Sequence, residues 1–380
     1  MRKSFKYKAT VSPSIARAAE RQLALCCELY NAALQERRDA YRMAGVSITL
    51  AMQSKQLPQI KQVRREYTKI GSQVLQDVLE RLNRAYQAFF RRVRRGEPLG
   101  YPRFKSARRY DSLTFKQTGW RLDGRRLRLQ GIGTLRLFWS RELEGRVKTV
   151  TLRRDRCGDW WVTFSCDDVP AKPLPLTGEC VGIDLGLERF LTTSDYQFVA
   201  NPRHLRHAEV ESKCIQRRLS KRKRGSARRQ RLVQTLARRH RKVARARRDY
   251  HYKTALSLVR RYELIAVEAL NVRGLQRGML AKSISDAGWS QFLAILADKA
   301  AEAGRIVVAV DPNGTSQVCS NCGRVPETRK LLGQRSHECH ACGYVAHRDV
   351  NAARNILWLG LMAAGRADPS ASRPASEAAA

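Results

Sequence analysis

The sequence predicts an α+β protein of several domains, in which a small β-barrel with a helical insertion precedes a domain built around a mixed sheet. The 380 residues are enough for two or three domains, each with its own core. From about residue 112 the hydrophobic period changes from that of a helix to that of a strand. A proline-rich stretch, 171–178, then reads as a linker to a second half in which strands and helices alternate.

The chain is strongly basic. It carries 73 Lys and Arg against 34 Asp and Glu, a formal charge of +39, and the excess runs from Arg2 to Arg261. A compact domain with this imbalance repels itself unless a polyanion neutralises it, so the composition predicts nucleic-acid binding. The sequence has no apolar run of 18 residues and no secretion-signal pattern, so we expect an intracellular protein without membrane association.

The N-terminal half predicts one early strand, then helices, then several strands. Residues 5–11 alternate as a strand, and apolar stripes predict helices from Ser14 and over residues 71–95. Four short alternating segments, separated by Gly or Asp turns, follow between residues 112 and 169. The economical arrangement returns the first strand to this later sheet, which makes the helices an insertion in a barrel.

The C-terminal half predicts strands interrupted by a basic hairpin. Residues 180–200 read as three strands, and 263–268 and 305–311 read as two more. Residues 213–253 contain 18 Lys or Arg and a single acid, Asp249, yet keep an apolar edge. That spacing indicates two basic helices joined by a turn rather than a disordered tail.

A further helix is expected over 285–303, with its N-cap at Ser285 or Asp286. A last helix begins at about Asp349. Over residues 180–360, the basic hairpin and a segment with paired cysteines (315–343) are set aside. The remaining elements then follow the order βββ–α–β–α–β–α. This order is compatible with an RNase H-like domain, whose parallel strands are buried on both faces.

Three acids interrupt apolar or helix-starting runs: Asp184 within CVGIDLG, Glu268 at the end of LIAVE, and Asp349 at the head of DVNAARNIL. A carboxylate among buried strand residues loses its hydration, and a cation offsets that cost. The trio therefore predicts a centre for two Mg²⁺ ions that hydrolyses phosphodiesters. Individually, Asp349 also fits a helix-start acid and Glu268 an ion-pair partner. The chain has no P-loop and no G-x-S-x-G motif, which argues against ATP-driven and serine-hydrolase chemistry.

A pair of C-x₂-C motifs separated by 16 residues matches the spacing of a structural zinc site. Its cysteines are Cys319, Cys322, Cys339 and Cys342. Four thiolates would close a tetrahedral site around one Zn²⁺ ion, with no open position for catalysis. Gly323 and Gly343 follow the second cysteine of each pair and allow the tight turn. His337, His340 and His347 lie nearby as spare ligands.

The motifs at the three acids are GIDLG, VEALN and HRDVNAARNI, and those at the four cysteines are TSQVCSNCG and CHACG. Together they resemble the motifs of the TnpB family. This family is encoded by insertion sequences and is related to type V CRISPR effectors. The segments YQAFFRRVRRGEPLGYPRF, LSKRKRGSARRQR and SISDAGWSQFL extend the resemblance over most of the chain. It implies an RNA-guided DNA endonuclease that supports maintenance of an insertion sequence. The implied partners are a guide RNA and double-stranded target DNA with a short adjacent motif, and not a small molecule.

The resemblance also implies roles for individual residues. Asp184, Glu268 and Asp349 match the family's RuvC triad, and the four cysteines match its zinc ligands. Arg348 and Asn351, which flank Asp349, fit either contact with the scissile phosphate or hydrogen bonding at the helix start. The residues expected to contact nucleic acid are Gln76, at the target-adjacent duplex, and Arg103, Lys221, Arg222, Lys223, Arg224, Arg228, Arg229 and Arg348.

By the same resemblance the chain divides into six parts. They are a wedge-type β-barrel (1–13 and 100–170), a helical recognition insertion (14–99), a linker (171–178), a RuvC domain (179–314 and 344–365), a zinc-binding module (315–343) and a disordered tail (366–380). The expected state is a monomeric ribonucleoprotein in the prokaryotic cytoplasm, associated with the nucleoid. The alternatives are a miniature CRISPR-associated effector, a guided DNA-binding repressor without cleavage, and a strand-joining transposase. The intact acid trio favours cleavage over repression, and its combination with the zinc pattern argues against a transposase.

Overall fold

The computed structural model describes residues 1–98, 100–326 and 333–367. The chain forms two compact units, Met1–Pro170 and Ala171–Ala380, which divide where the predicted linker begins. The predicted disordered tail, 366–380, lies outside the described residues from position 368 onward. Within the described part of the chain, no helix combines the length and apolar character needed to cross a membrane.

The first unit contains three long helices: α1 (Pro13–Ala44), α2 (Leu50–Val63) and α3 (Ser72–Arg94). The Ser12 hydroxyl accepts a hydrogen bond from the backbone N of Ile15, which caps the start of α1. Two of these helices match the sequence prediction, and α2 was not predicted. The buried Gln53 interrupts the apolar stripe of α2, which consists of Leu50, Leu57 and Ile60, so the helical pattern is weak in the sequence.

Over residues 1–98 and 100–170, seven strands form one antiparallel sheet that curls into a nearly closed barrel. The first is β1 (Lys3–Thr10). The others are β2 (Ser112–Phe115), β3 (Trp120–Asp123), β4 (Arg126–Leu129), β5 (Gly133–Phe138), β6 (Arg146–Arg154) and β7 (Trp160–Asp167). Because β1 pairs with both β5 and β7, the first strand lies in the middle of the later sheet, as predicted. The three helices are therefore an insertion between β1 and β2.

In the described part of the second unit, five strands form a mixed sheet. They are β8 (Cys180–Leu185), β9 (Arg189–Thr193), β10 (Phe198–Ala200), β11 (Leu264–Glu268) and β12 (Ile306–Val310). Their spatial order is β10-β9-β8-β11-β12, with an antiparallel hairpin on one side and parallel β8, β11 and β12 on the other. Val181, Ile183 and Ile265 are fully buried, as expected for parallel strands covered on both faces.

The basic segment folds as a helical hairpin of α4 (His204–Ser220) and α5 (Ala227–Arg261), which are in contact along the hairpin. The turn ends at Ser226, whose hydroxyl accepts from the backbone N of Arg229 and caps α5. This confirms the prediction of two helices broken near Gly225 and Ser226.

The helix expected over 285–303 is present and ends at Ala303, but its predicted start and N-cap are wrong. The chain instead forms α6 (Val272–Leu275), α7 (Ala281–Ala287) and α8 (Trp289–Ala303), and Gly288 separates the last two with φ +69°. Asp286 lies inside α7, and its carboxylate accepts from the backbone N of Leu205 (2.8 Å) and Arg206 (3.2 Å). It therefore caps α4 instead of α8, a long-range pairing that local sequence does not reveal.

Short strands β13 (Ser336–Glu338) and β14 (Val345–His347) lead into α9 (Arg348–Ala363), which packs on β8 and β11. Two glycines permit a close approach. A Cβ on Gly182 would lie 2.0 Å from the carbonyl oxygen of Ala353, and one on Gly360 would lie 2.4 Å from Cβ of Ala266. These contacts fix how α9 lies on the sheet, and with it the position of Asp349 in the first turn of α9.

Candidate functional site

Two of the predicted acids lie at the carboxyl ends of neighbouring parallel strands, Glu268 as the last residue of β11 and Asp184 one residue before the end of β8. Ile183 of β8 is in register with Val267 of β11, and Asp184 and Glu268 follow directly after that pair. Both acids are half-buried, whereas the residues before them are buried. The strand register therefore brings these two acids to the same edge of the sheet.

The third acid comes from α9. Asp349 lies in its first turn, and its backbone N donates to Nδ1 of His347 (3.2 Å), so the imidazole caps the helix. The Asp349 side chain is 20% exposed. An acid at a helix N-terminus is stabilised by the dipole, which makes this position favourable for a carboxylate before any other group is considered.

Electrostatics show that the three carboxylates interact. Burial, and then the charges of Glu268 and Asp349, raise the pKa of Asp184 well above its usual range, while Arg348 opposes this effect. Burial also raises the pKa of Glu268, and a hydrogen bond from Thr315 lowers it. Ionisation of all three carboxylates would concentrate negative charge among partly desolvated oxygen atoms, which is unfavourable without a cation. This donor set suits a hard cation such as Mg²⁺, whose charge would offset the mutual repulsion.

Sequence reasoning missed Thr315 and Asn355, two of the residues that connect these acids. The hydroxyl of Thr315 donates to Oε1 of Glu268 (2.6 Å). On α9, Asn355 donates to the carbonyl oxygens of Thr315 (2.7 Å) and Val318 (2.8 Å). Asn351 bonds the same segment, accepting from the backbone N of Ser320 at 2.8 Å and donating to the carbonyl of Val318 at 2.7 Å. A single segment, 315–320, therefore joins Glu268 to the helix that carries Asp349.

This network decides between the two interpretations of Asn351. The side chain is fully buried, and both its oxygen and its nitrogen bond the backbone of 318–320. Contact with a scissile phosphate is therefore wrong for Asn351, because its polar atoms are already engaged in holding the chain. Arg348 is also buried, at 8% exposed, and its charge acts on Asp184.

The four cysteines meet as predicted. Their sulfur atoms all lie within 4.8 Å of one another. Each C-x₂-C pair closes the same turn: the backbone N of Gly323 donates to the carbonyl of Cys319, and that of Gly343 to the carbonyl of Cys339. Both glycines have positive φ, +76° and +70°, as the tight turns require. Four sulfur donors without an oxygen ligand are chemically suited to a closed structural Zn²⁺ site.

The surroundings of the sulfur atoms differ between Cys319 and Cys342. The backbone around Tyr344 lowers the pKa of Cys342 to about 6, whereas burial raises the pKa of Cys319 to about 12. A buried thiol ionises readily only when a cation compensates, which a metal ion would do here. His347 has a different role, since it caps α9.

The residues expected to contact nucleic acid are spread over both units. Gln76 is exposed on α3, and Arg103 is exposed in the segment after it. Residues 221–224 form the exposed turn between α4 and α5, followed by Arg228, exposed, and Arg229, partly buried, in the first turn of α5. The turn therefore presents four consecutive basic side chains to solvent, and the prediction of nucleic-acid contact stays a prediction.

Comparison with known proteins identifies the family. A putative RNA-guided DNA endonuclease of Streptomyces pristinaespiralis is 34% identical over 379 residues, which is 97% of this chain and 92% of the relative. The chain belongs to the TnpB family. Two family models match, one described as a probable transposase over residues 163–278 and one as a Cas12f1-like TNB domain over residues 289–356.

A second relative supports membership in the TnpB family. The putative RNA-guided DNA endonuclease InsQ of Escherichia coli K12 is 31% identical over 307 residues, covering 76% of this chain and 74% of the relative. Among solved structures, the mini-RNA-guided endonuclease CRISPR-Cas phi3 matches with a TM-score of 0.51 at 9% identity, over 95% of this chain and 92% of that one. At that identity the likeness concerns the fold alone.

Proposed function

We propose that this protein is an RNA-guided DNA endonuclease that binds a guide RNA, recognises a short target-adjacent motif and hydrolyses target DNA at a RuvC-type site. The observation that carries the proposal is the interaction of Asp184, Glu268 and Asp349 in a chain of the TnpB family. Support comes also from the +39 charge, which requires a large polyanionic partner. The relatives from Streptomyces and Escherichia carry the name RNA-guided DNA endonuclease.

In this proposal the acid trio holds two Mg²⁺ ions, which when bound supply activation of the attacking water and stabilisation of the leaving 3′ oxygen. Asp184 and Glu268 provide oxygen ligands from a rigid sheet edge, and Asp349 provides them from α9. Thr315 orients the carboxylate of Glu268 through its hydrogen bond. Arg348, next to Asp349, adds positive charge beside the phosphate to be cleaved.

The remaining parts follow from the same proposal. Residues 1–13 and 100–170 act as the wedge domain, 14–99 as the recognition insertion, and the basic turn 221–224 as a contact for the nucleic-acid backbone. The four cysteines hold one structural Zn²⁺ ion. Base pairing with the guide, rather than the protein, reads the target sequence. A repressor without cleavage is the weaker candidate, because it has no need for the three interacting acids.

The test is to sequence the RNA that co-purifies with the protein and then to replace its target-matching segment. We expect one discrete RNA with a variable 3′ portion, and cleavage that moves to whichever DNA matches the new segment. Random co-purifying RNA, or cleavage that ignores the replaced segment, would remove guidance from the proposal. Cleavage that needs neither RNA nor divalent cation would remove the whole assignment.

A further inference from the structure

A cluster of aromatic rings at the end of α3 has no role in the function proposed so far. Tyr86, Phe89 and Phe90 lie in the last turns of α3, and Tyr101 reaches them from the following segment. We call these four rings the aromatic patch. Phe89 lies 5.2 Å from Phe90 and 5.3 Å from Tyr101, measured between ring centroids, so the rings are in contact with one another.

The outer part of the patch is not core packing. The hydrophobic face of α3 is buried from Val74 to Tyr86, but Phe90, one turn farther along the helix, is 52% exposed, and Tyr101, in the segment after the helix, is 44% exposed. Phe90 and Tyr101 both contact Phe89, and two large exposed rings joined through a third form an apolar surface of the kind that usually marks a binding site. They lie where the buried face of α3 ends, so the fold itself does not require aromatic residues there.

The position of Tyr101 is fixed in advance. Its hydroxyl is 2.8 Å from the hydroxyl of Tyr86, and Arg92 donates to the carbonyl of Gly100 (2.8 Å), which ties the segment before Tyr101 to α3. The ring also contacts Phe89 edge-on. A ring held in place loses little further freedom when a flat ligand stacks on it, so the patch is arranged for binding.

The charge around the patch indicates the kind of ligand. Residues 86–104 contain five arginines and a single acid, Glu97. Arg91, Arg94 and Arg103 are exposed. Exposed aromatic rings among arginines are the combination with which proteins bind single-stranded nucleic acid, because bases stack on the rings while arginines contact the phosphates. A protein partner would not require so large an excess of positive charge.

We propose that the aromatic patch is a stacking site for unpaired bases of the bound nucleic acid, a contact that goes beyond the base pairing of the proposed function and rests on it. Phe90 and Tyr101 supply the stacking faces, and the neighbouring arginines hold the phosphates of the same nucleotides. Both RNA and DNA offer this chemistry. The site is sequence-tolerant, because every base has a face on which to stack.

The test is a thermodynamic cycle that compares binding affinities after one change in the protein, one change in the ligand, and both together. Full-length wild type and Phe90→Ser are titrated with 12-nucleotide oligo-U and oligo-dT, and with the same strands carrying abasic positions. Wild type should bind the intact strand roughly tenfold more tightly than the abasic strand, and the variant should lose most of that difference. Phe138→Ser is the matched control, because Phe138 is 70% exposed on β5, outside the patch.

Comparison of the two intact strands shows whether RNA or DNA occupies the patch. Tyr101→Phe should retain the stacking difference, since it keeps the ring and removes the hydroxyl. An unchanged stacking difference in Phe90→Ser, or an equal loss in Phe138→Ser, overturns the inference. A change in oligomeric state on sedimentation, with unchanged affinity for nucleic acid, assigns the patch to a second copy of the chain and overturns it too. Guided cleavage by the wild-type protein is measured separately. If it occurs while the binding experiments overturn the patch, the proposed function stands and only the stacking site is lost.

Discussion

The second unit contains two candidate metal sites, and the fold positions them differently. We call the carboxylates of Asp184, Glu268 and Asp349 the oxygen cluster. The sulfur cluster consists of the four cysteines, Cys319, Cys322, Cys339 and Cys342. The carboxylates are carried by two strands and a helix that are anchored in buried apolar residues, such as Ile183, Val267 and Val350. The cysteines are carried by short turns, and Cys322 and Cys342 are exposed. Residues around a core stay in place without a metal ion, whereas turns without a core need one. The oxygen cluster should therefore depend on metal for chemistry, and the sulfur cluster should depend on it for structure.

The largest expected effect tests the oxygen cluster. Asp184→Ala removes the acid whose pKa the other two raise, and with it a ligand of the proposed Mg²⁺ centre. We expect cleavage to fall by about a thousandfold or more, with the amount of co-purified RNA unchanged. Quantitative cleavage of a matched DNA substrate measures this. Asp298→Ala, which removes an exposed acid from α8, is the control; full cutting by Asp184→Ala would refute the active-site assignment.

The next effect tests the sulfur cluster. Cys319→Ser removes the buried member of the four and should release the proposed zinc, at a cost of several kcal/mol to the local structure. Zinc content and hydrogen exchange over the module are the measurements. Cys214→Ser alters an exposed cysteine outside the cluster and should change neither. Absence of zinc from the purified wild-type protein, or full zinc content in Cys319→Ser, would contradict the proposal that the sulfur cluster depends on zinc for its structure.

A third change breaks the connection between sheet and helix. Gly182→Ala would place a methyl group 2.0 Å from the carbonyl oxygen of Ala353, so α9 must move away from β8. We expect a loss of about 1–3 kcal/mol in the free energy of unfolding and lower cleavage, because Asp349 moves with the helix. Urea denaturation and cleavage assays measure both.

Gly278→Ala is the control for this prediction. Its added methyl group would meet the carbonyl oxygen of Leu275 at 3.8 Å, an ordinary contact. Wild-type stability and cleavage in Gly182→Ala would show that α9 does not need its close approach to the sheet.

The smallest effect concerns the hydrogen bond between Thr315 and Glu268. Thr315→Val keeps the shape of the side chain and removes the hydroxyl that donates to Oε1 of Glu268. Cleavage should fall roughly tenfold, as is usual when a residue that orients a metal ligand is lost, with the zinc content unchanged. Thr235→Val removes a hydroxyl that bonds a carbonyl within α5 and should leave cleavage as in wild type. If Thr315→Val cleaves DNA at the wild-type rate, the hydrogen bond from Thr315 to Glu268 does not contribute to the proposed Mg²⁺ centre.

The sequence predicted those structural features correctly that depend on residues close together in the chain. The cysteine spacing predicts a compact cluster because each C-x₂-C turn is defined by five consecutive residues, the last of which is a glycine. Apolar runs around Asp184 and Glu268 predict buried strands in the same way. The three acids were singled out because a charge in such a run has a high desolvation cost.

Sequence failed where a residue acts on a distant part of the chain. Asp286 looked like the N-cap of its own helix, and it caps α4, about 80 residues earlier in the chain. Thr315 and Asn355 lack any local signature, since their hydrogen bonds depend on how α9 lies on the sheet. Asn351 was assigned two possible roles, and its burial decides between them.

The segment 315–320 has a consequence for the order in which the protein matures. The cysteine module lies between β12 and α9, so Asp349 is synthesised after both cysteine pairs. Asn351 and Asn355 dock α9 on the backbone that leads into the first cysteine turn. We therefore expect zinc uptake to precede completion of the acid trio. A chain made under zinc starvation would keep α9 on the sheet through apolar residues such as Val350 but would lack a fixed 315–320 backbone between Glu268 and α9, so we expect it to cleave DNA more slowly than the zinc-loaded protein.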